Sequence, residues 1–556
     1  MKAKKVVIII ILLIFLAIIA VGALYAVKKL APGFANEEIS DMTNLVINGS
    51  NVTDYLKENN TKVYVKDNVT YLSLSDMQNF FDKYIYIDEK YGKVISTYNS
   101  NIVTLDINNG QMQLNDGNVS VVQTPLKVDD VLYIPFSQME EAYDATCTYI
   151  SETDTVIIDT EDRDKTFATL AKDTNLKSRT RNLSRTIAKL EENEEVMIVE
   201  QDDDWSEVRT SKGKIGYIEN SAIGEKKEIP AKVKTAENNE TEKVNMFWDY
   251  FYSEESLPDR TGESYEGVNV VSPSFFVLDS TGAIRESIGS KGDAYINWAH
   301  GNGYEVWAMF SNDSLQQLTS QILNDYEARE NLILNIVQKV KQYNLDGINI
   351  DFENMYMDDA DVFSRFIIEL EPRLKILGKT LSVDVTAPDG AESWSMCYDR
   401  NVIGDVADYI VFMAYDQYGE ASTEPGTTSG YEWVKVNLDK FVETEEIEPE
   451  KIILGLPFYT RVWTTQNGEL VRTDVVAMKN VDGNIPTGVE KIWDEVTRQN
   501  YIKYDSNGYT REMWIEDIES YKEKLLLINE YSLGGVANWC KDMETTEIWS
   551  VINENL

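Results

Sequence analysis

The stretch LDGINIDFEN, residues 345–354, alternates with a period of two. Ile348, Ile350 and Phe352 fall on one face and Asn349, Asp351 and Glu353 on the other. It reads as a β-strand that carries an amide and two acids side by side. Buried acids without partners are costly, and stability alone would prefer Val or Leu at these positions. Such a strand needs a fold in which its polar face looks into a functional space.

The surrounding sequence supplies one. From residue 244 onward, strand-like and helix-like segments alternate. VNMFWDYF (244–251), VNVVSPSFFVL (268–278), EVWAMFS (305–311), DGINIDFE (346–353), TLSVDVTAP (380–388), YIVFMAYD (409–416), KIILGLPFY (451–459) and GGVANW (534–539) are the strand candidates. Amphipathic runs such as residues 318–343 and 359–377 lie between them. This rhythm predicts a (β/α)8 TIM barrel over residues 244–556. Residues 462–512 are too many for a simple connection and predict an inserted hairpin or small α+β subdomain. In a barrel, Ile348, Ile350 and Phe352 face the helices, while Asn349, Asp351 and Glu353 point inward and climb towards the C-terminal mouth, where barrel enzymes work.

The chain upstream is built differently. VKDNVTYLSLSDMQNFF (65–81) is echoed by VDDVLYIPFSQMEEAY (128–143), with Tyr71 matching Tyr133. Each copy predicts a turn, a strand and a short helix opened by Ser75 or Ser137. Residues 45–160 therefore form a small α+β repeat domain. Residues 165–225 carry short alternating strands and form a small all-β unit, and the charged run 226–243 predicts a linker. The whole is a multidomain chain.

With 52 basic against 94 acidic residues, the net charge is −42. That excludes nucleic acid as a partner, because phosphate binding needs clustered Lys and Arg. Cys147, Cys397 and Cys540 are too few and too scattered for a disulfide framework. His300 is the only histidine, so a His-ligated metal or a Ser/His/Asp triad would rest on it alone. Its setting, WAHGNGYE, predicts a helix end closed by Gly301. Catalysis should run on carboxylates, with no metal and no cofactor. Residues 6–27 are free of charge and flanked by lysines, which predicts a transmembrane helix. The expected location is the cell membrane, single-pass with the C-terminal domains outside the cell, or secreted if that segment is cleaved.

Several of these segments resemble known families. Asp346-Gly347-Ile348-Asn349-Ile350-Asp351-Phe352-Glu353 resembles the D-G-x-D-x-D-x-E signature of glycoside hydrolase family 18, which includes chitinases and related N-acetylglucosaminidases. MAYD (413–416), GLPFYTR (455–461) and Trp539 are similar to the family's sixth, seventh and eighth strands. The D-G-x-N form resembles the bacterial branch acting on cortex or wall peptidoglycan. The resemblance implies Glu353 as general acid and Asp351 as the group that orients the substrate's 2-acetamido oxygen, the internal nucleophile. It implies Tyr415 as a hydrogen-bond donor to that acetamide and Trp539 as a floor for the pyranose ring. It also places Asp346, Asn349, Met413, Asp416 and Tyr459 among the substrate-binding residues. The implied partner is a polysaccharide containing N-acetylglucosamine, with peptidoglycan favoured and chitin as the alternative. A non-catalytic carbohydrate-binding protein of the same fold is the remaining reading. Asn349 departs from the commonest motif, and its amide is expected to donate to Asp351. Upstream, residues 45–160 resemble the copper amine oxidase N-terminal domain, though without a histidine to imply copper. Trp205, Val208, Gly213, Gly216 and Tyr217 resemble the bacterial SH3-like (SH3b) pattern.

Overall fold

The computed structural model describes residues 42–232 and 242–556, which form two compact units. In the second unit, eight parallel strands close on themselves: β1 (Val244–Asp249), β2 (Val270–Pro273), β3 (Glu305–Ser311), β4 (Gly347–Asp351), β5 (Thr380–Val385), β6 (Tyr409–Met413), β7 (Ile452–Pro457) and β8 (Gly535–Trp539). Neighbours in sequence pair throughout, and β8 returns to β1. The expected barrel is present, with every strand where the alternation places it.

The two faces of β4 separate as their chemistry requires. Ile348, Ile350 and Phe352 are sealed in the layer between barrel and helices. Each such fully buried side chain contributes about 1.5–3 kcal/mol relative to exposure. Inside the barrel, Met246, Trp248, Val270, Trp307, Met309, Val411 and Ile453 form a separate apolar cluster. The lumen is thus apolar on most strands, whereas Asn349 on β4 and Ser382 and Asp384 on β5 are buried polar groups. Gly347 opens β4 because a Cβ there would meet Trp307 at 2.7 Å and the Thr380 carbonyl at 2.8 Å.

Several connections differ from expectation. The run 318–343 is two helices, Gln316–Leu323 and Tyr326–Gln342, because Asp325 caps the second by accepting from the Ala328 N–H at 3.0 Å. Between β1 and β2 there is only a 3₁₀ turn, Glu254–Ser256. The C-terminal helix Ile548–Asn555 packs there instead, with Trp549 5.7 Å from Phe247. Gly301 does not end the His300 helix by a left-handed residue; Gly303 takes that conformation. The insertion after β7 is a five-stranded antiparallel sheet whose strands run from Tyr459–Gln466 to Tyr509–Ile515, all β rather than α+β.

Arg329 and Glu369 join the helices Tyr326–Gln342 and Ala360–Lys375 through two 3.1 Å hydrogen bonds at 3% and 0% side-chain exposure. Arg329→Met removes both of these hydrogen bonds from a buried carboxylate and should lower the unfolding free energy by about 3–5 kcal/mol. Arg329→Met/Glu369→Leu should recover most of that loss. Urea titration of both variants tests it, and equal losses would contradict the pair's coupling.

In the first unit, Val69–Ser73 and Val131–Ile134 of the two repeats pair antiparallel, and Tyr71 and Tyr133 are both buried. The first repeat's helix, Leu74–Phe80, is capped by Ser73 rather than Ser75. In the second, Pro135 precedes only a 3₁₀ turn, and Ser137 instead accepts from the Thr70 N–H at 2.9 Å. This region is predominantly β. A seven-stranded antiparallel sheet follows, and its last strand, Ile223–Ile229, occupies part of the expected linker. Trp205 stands outside that unit's core and lines a surface recess with Asp203, Asp204 and Glu219.

The apolar segment 6–27 lies outside the described residues. Among the described residues no helix is long and apolar enough to cross a membrane. The expected single-pass membrane location is therefore corrected and is not carried further.

Candidate active site

Asn349 anchors the polar face of β4. Its Oδ1 accepts from Trp248 Nε1 of β1 at 2.9 Å and from Ser272 Oγ of β2 at 3.2 Å. Its Nδ2 donates to Ser382 Oγ at 3.0 Å and to Asp384 Oδ1 at 2.7 Å, both on β5. Two lone pairs and two N–H groups are all used. The expected bond from Asn349 to Asp351 is absent, because the amide's donor side is taken up by β5.

Asp351 and Asp384 stand at one level of the barrel. The β4–β5 register pairs Asn349 with Ser382 and Ile350 with Val383, so the next inward positions are these two acids. Asp351 Oδ1 and Asp384 Oδ2 are sequestered from solvent without a hydrogen-bond partner. Burial raises the Asp351 carboxyl well above the usual range, and Asp384 adds to it. Burial also pushes Asp384 up to about 8, aided by the charge of Glu353 and opposed by the Asn349 hydrogen bond.

Glu353 leaves the strand with its backbone clamped. Asn312, just beyond β3, accepts from the Glu353 N–H at 3.0 Å and donates to its carbonyl at 2.9 Å. Tyr398 donates to the preceding carbonyl, that of Phe352, at 2.8 Å. The Glu353 carboxyl is raised to about 8, by burial first and then by Asp351 and Asp416. Burial thus outranks repulsion from the neighbouring Asp351. A carboxyl held this way keeps its proton at neutral pH and can donate it.

Around these acids lies an aromatic wall. Tyr415 and Trp539 stack with centroids 6.3 Å apart and planes 28° from parallel, and Trp248 is 5.7 Å from Trp539. Tyr250 continues the wall 5.5 Å from Trp539, and exposed Tyr252 lies 5.0 Å further on. Asp416 holds a left-handed φ of 54° and accepts from Tyr459 at 2.6 Å and from Arg461 at 3.0 Å. Met413 is buried at the end of β6.

Seven of the nine expected site residues thus gather at the C-terminal mouth, with Asn349 one inward position below them, fully buried in the barrel. Asp346 is not among them. It precedes β4 at the opposite end, accepting from the Val306 N–H at 3.0 Å and pairing with His300 Nε2 at 2.7 Å. Its position ties strand ends together and corrects the expected contact with substrate. Asp384, Trp248 and Asn312 were not expected. Asp384 had a visible signal: in TLSVDVTAP, Leu381, Val383 and Val385 alternate with Ser382 and Asp384, which places a second strand's acid inward.

Residues 243–544 match Glycosyl hydrolases family 18. The chain belongs to that family. Residues 46–158 match the copper amine oxidase N-terminal domain. Among family 18 relatives, the cortical fragment-lytic enzyme of Bacillus anthracis is 28% identical over 244 residues, 43% of this chain and 56% of that protein. YvbX of Bacillus subtilis (strain 168), described as an uncharacterized glycosylase, is 25% identical over 299 residues, 52% of this chain and 84% of its own. Human di-N-acetylchitobiase is 24% identical over 266 residues, 40% of this chain and 68% of that protein. This chain spans little more than half the length of two of the Bacillus proteins it matches, 53% and 56%. A chitinase from Chromobacterium violaceum ATCC 12472 shares the fold at a TM-score of 0.50 and 24% identity, over 56% of this chain and 98% of that one.

Proposed function

We propose that the barrel is a retaining glycosidase that cleaves β-1,4 bonds next to N-acetylglucosamine by substrate-assisted catalysis. One observation carries the reading: Glu353 is half-buried, its carboxyl raised to about 8, and set beside Asp351 at the mouth of a family 18 barrel. Glu353 protonates the departing glycosidic oxygen. The substrate's own acetamido oxygen attacks the anomeric carbon with retention, so no second carboxylate nucleophile is needed. Asp351 orients the acetamide and stabilises the oxazolinium cation. Tyr415 donates to the acetamide oxygen, and Trp539 stacks on the pyranose. After the leaving group departs, Glu353 accepts a proton from the incoming water.

Peptidoglycan is the favoured polymer. The similarity to cortical fragment-lytic enzymes supports it, while that to di-N-acetylchitobiase supports chitin-type oligomers as the alternative. Retention of Glu353, Asp351 and Tyr415 disfavours a purely binding role. The full chain should release new reducing ends from purified peptidoglycan at a rate at least about tenfold above that on N-acetylglucosamine oligomers, a difference of about 1.4 kcal/mol in barrier. The opposite preference would assign chitin. Cleavage of neither would remove the enzymatic reading.

A further inference from the structure

Asp384 is a buried acid that the motif strand does not supply, and its surroundings fix what it can do. An indole N–H can only donate, so Trp248 sets the Asn349 amide with its carbonyl towards β1 and its NH₂ towards β5. Asn349 therefore donates to Asp384 Oδ1, and that oxygen is an acceptor. The other oxygen, Oδ2, is sequestered and unpartnered, and so is Oδ1 of Asp351, at the adjoining inward position of β4. Two adjoining buried carboxylates cannot both ionise without a large repulsion. A single proton between them satisfies both orphan oxygens.

We propose that Asp384 is a positioning residue that holds this proton. Its Oδ1 accepts from Asn349 and its Oδ2–H donates to Asp351 Oδ1, leaving the pair's negative charge on Asp351, where the cation forms. The inference rests on the role proposed above for Asp351. It also gives Asn349 a function: an amide donor marks one Asp384 oxygen as the acceptor, whereas a carboxylate there would add a second negative charge beside that of Asp351. The other titratable groups facing the pair are Glu353 beyond β4, Tyr415 beyond β6, Tyr250 beyond β1 and Tyr398 beyond β5. The raised ionisation of both aspartates agrees with one retained proton.

Two measurements on the full chain test this. In a Glu353→Gln background, which removes that residue's own proton, infrared titration should show at neutral pH a protonated buried carboxyl in addition to that of Glu371, which burial raises to about 7. Asp384→Asn should abolish that additional signal. An additional signal that is missing from the start, or that persists in Asp384→Asn, would overturn the proposal. In the enzyme with Glu353 intact, Asp384→Asn should lower kcat about a hundredfold with KM changed less than about threefold. Moving the carboxyl back, in Asn349→Asp/Asp384→Asn, should recover at least about tenfold of that loss, or about 1.4 kcal/mol. An unchanged kcat in the single variant, or no recovery in the double, would assign Asp384 a packing role. If the parent chain cleaves no N-acetylglucosaminide, the proposed function falls, while the infrared titration still decides the proton.

Discussion

Glu353→Gln is expected to lower kcat by about 10²- to 10⁴-fold, with KM changed by less than about threefold. Gln keeps the shape and the backbone clamp from Asn312 but has no proton to give to a departing oxygen. The loss therefore falls on the transition state rather than on binding. The parent enzyme should show an alkaline limb in kcat/KM near 8, where the Glu353 carboxyl ionises. Any residual activity of Glu353→Gln should lack that ionisation. Stability provides a control with a defined sign. Glu353 ordinarily titrates near 4.5, and its folded value is about 8. Between these values the folded chain keeps a proton that the unfolded chain releases, so the group destabilises increasingly as pH rises through that window. Glu353→Gln removes this penalty, and its melting temperature at pH 8 should equal or exceed that of the parent. A variant that melts earlier would have lost structure rather than an acid. Parent-like turnover would exclude Glu353 as the proton donor.

The barrel was legible because its strands carry two independent signals. Ile348, Ile350 and Phe352 repeat with the strand period, and the runs between strands repeat with the helical one, so a shift of register would bury the wrong set. Where a cap or a cross-strand contact rather than the period decides an element, the pattern does not show it. The 318–343 run has a continuous helical pattern, yet Asp325 supplies an N-cap that divides it. Ser137 has the residue type of a cap, but its hydroxyl is occupied by the Thr70 N–H across the sheet. The insertion was visible only as excess length, since its apolar positions serve a small separate cluster around Val462, Ile502 and Met513.

The site shows the same division. Glu353, Asp351, Tyr415, Asp416 and Trp539 lie at strand ends, where the motif and the barrel geometry agree. Asp346 belongs to the same motif but sits at the start of β4, one strand length from the mouth, and there it serves the fold through His300 and Val306. Asp384 belongs to no quoted motif. Its partnership with Asn349 is a contact between strands, which one strand's own pattern cannot specify. The substitution of Asn for Asp at 349 was visible, but its meaning depends on which way the amide points, and Trp248 settles that from 101 residues away.

The largest discriminating effect should come from the substrate rather than from the protein. If the acetamido oxygen is the nucleophile, an analogue with a free amine or hydroxyl in place of the reacting sugar's acetamide should react at least about 10³-fold more slowly, because an intramolecular attack has been deleted. Asp351→Asn should cost about 10²- to 10³-fold on the N-acetylated substrate, since a charge beside the developing cation is lost. The two changes should not add. Asp351 acts through the acetamide, so on the analogue Asp351→Asn has little left to remove and should cost less than about threefold. Additive losses would mean that Asp351 works independently of the acetamide, as a nucleophile or a general base. That outcome can be separated further by trapping, since a carboxylate nucleophile leaves a glycosyl ester on Asp351 and an oxazolinium route leaves the protein unmodified. The burial and orphaned Oδ1 of Asp351 favour the second: a carboxylate whose one oxygen is sealed within the barrel presents only the other to the substrate, as suits a group that orients and stabilises.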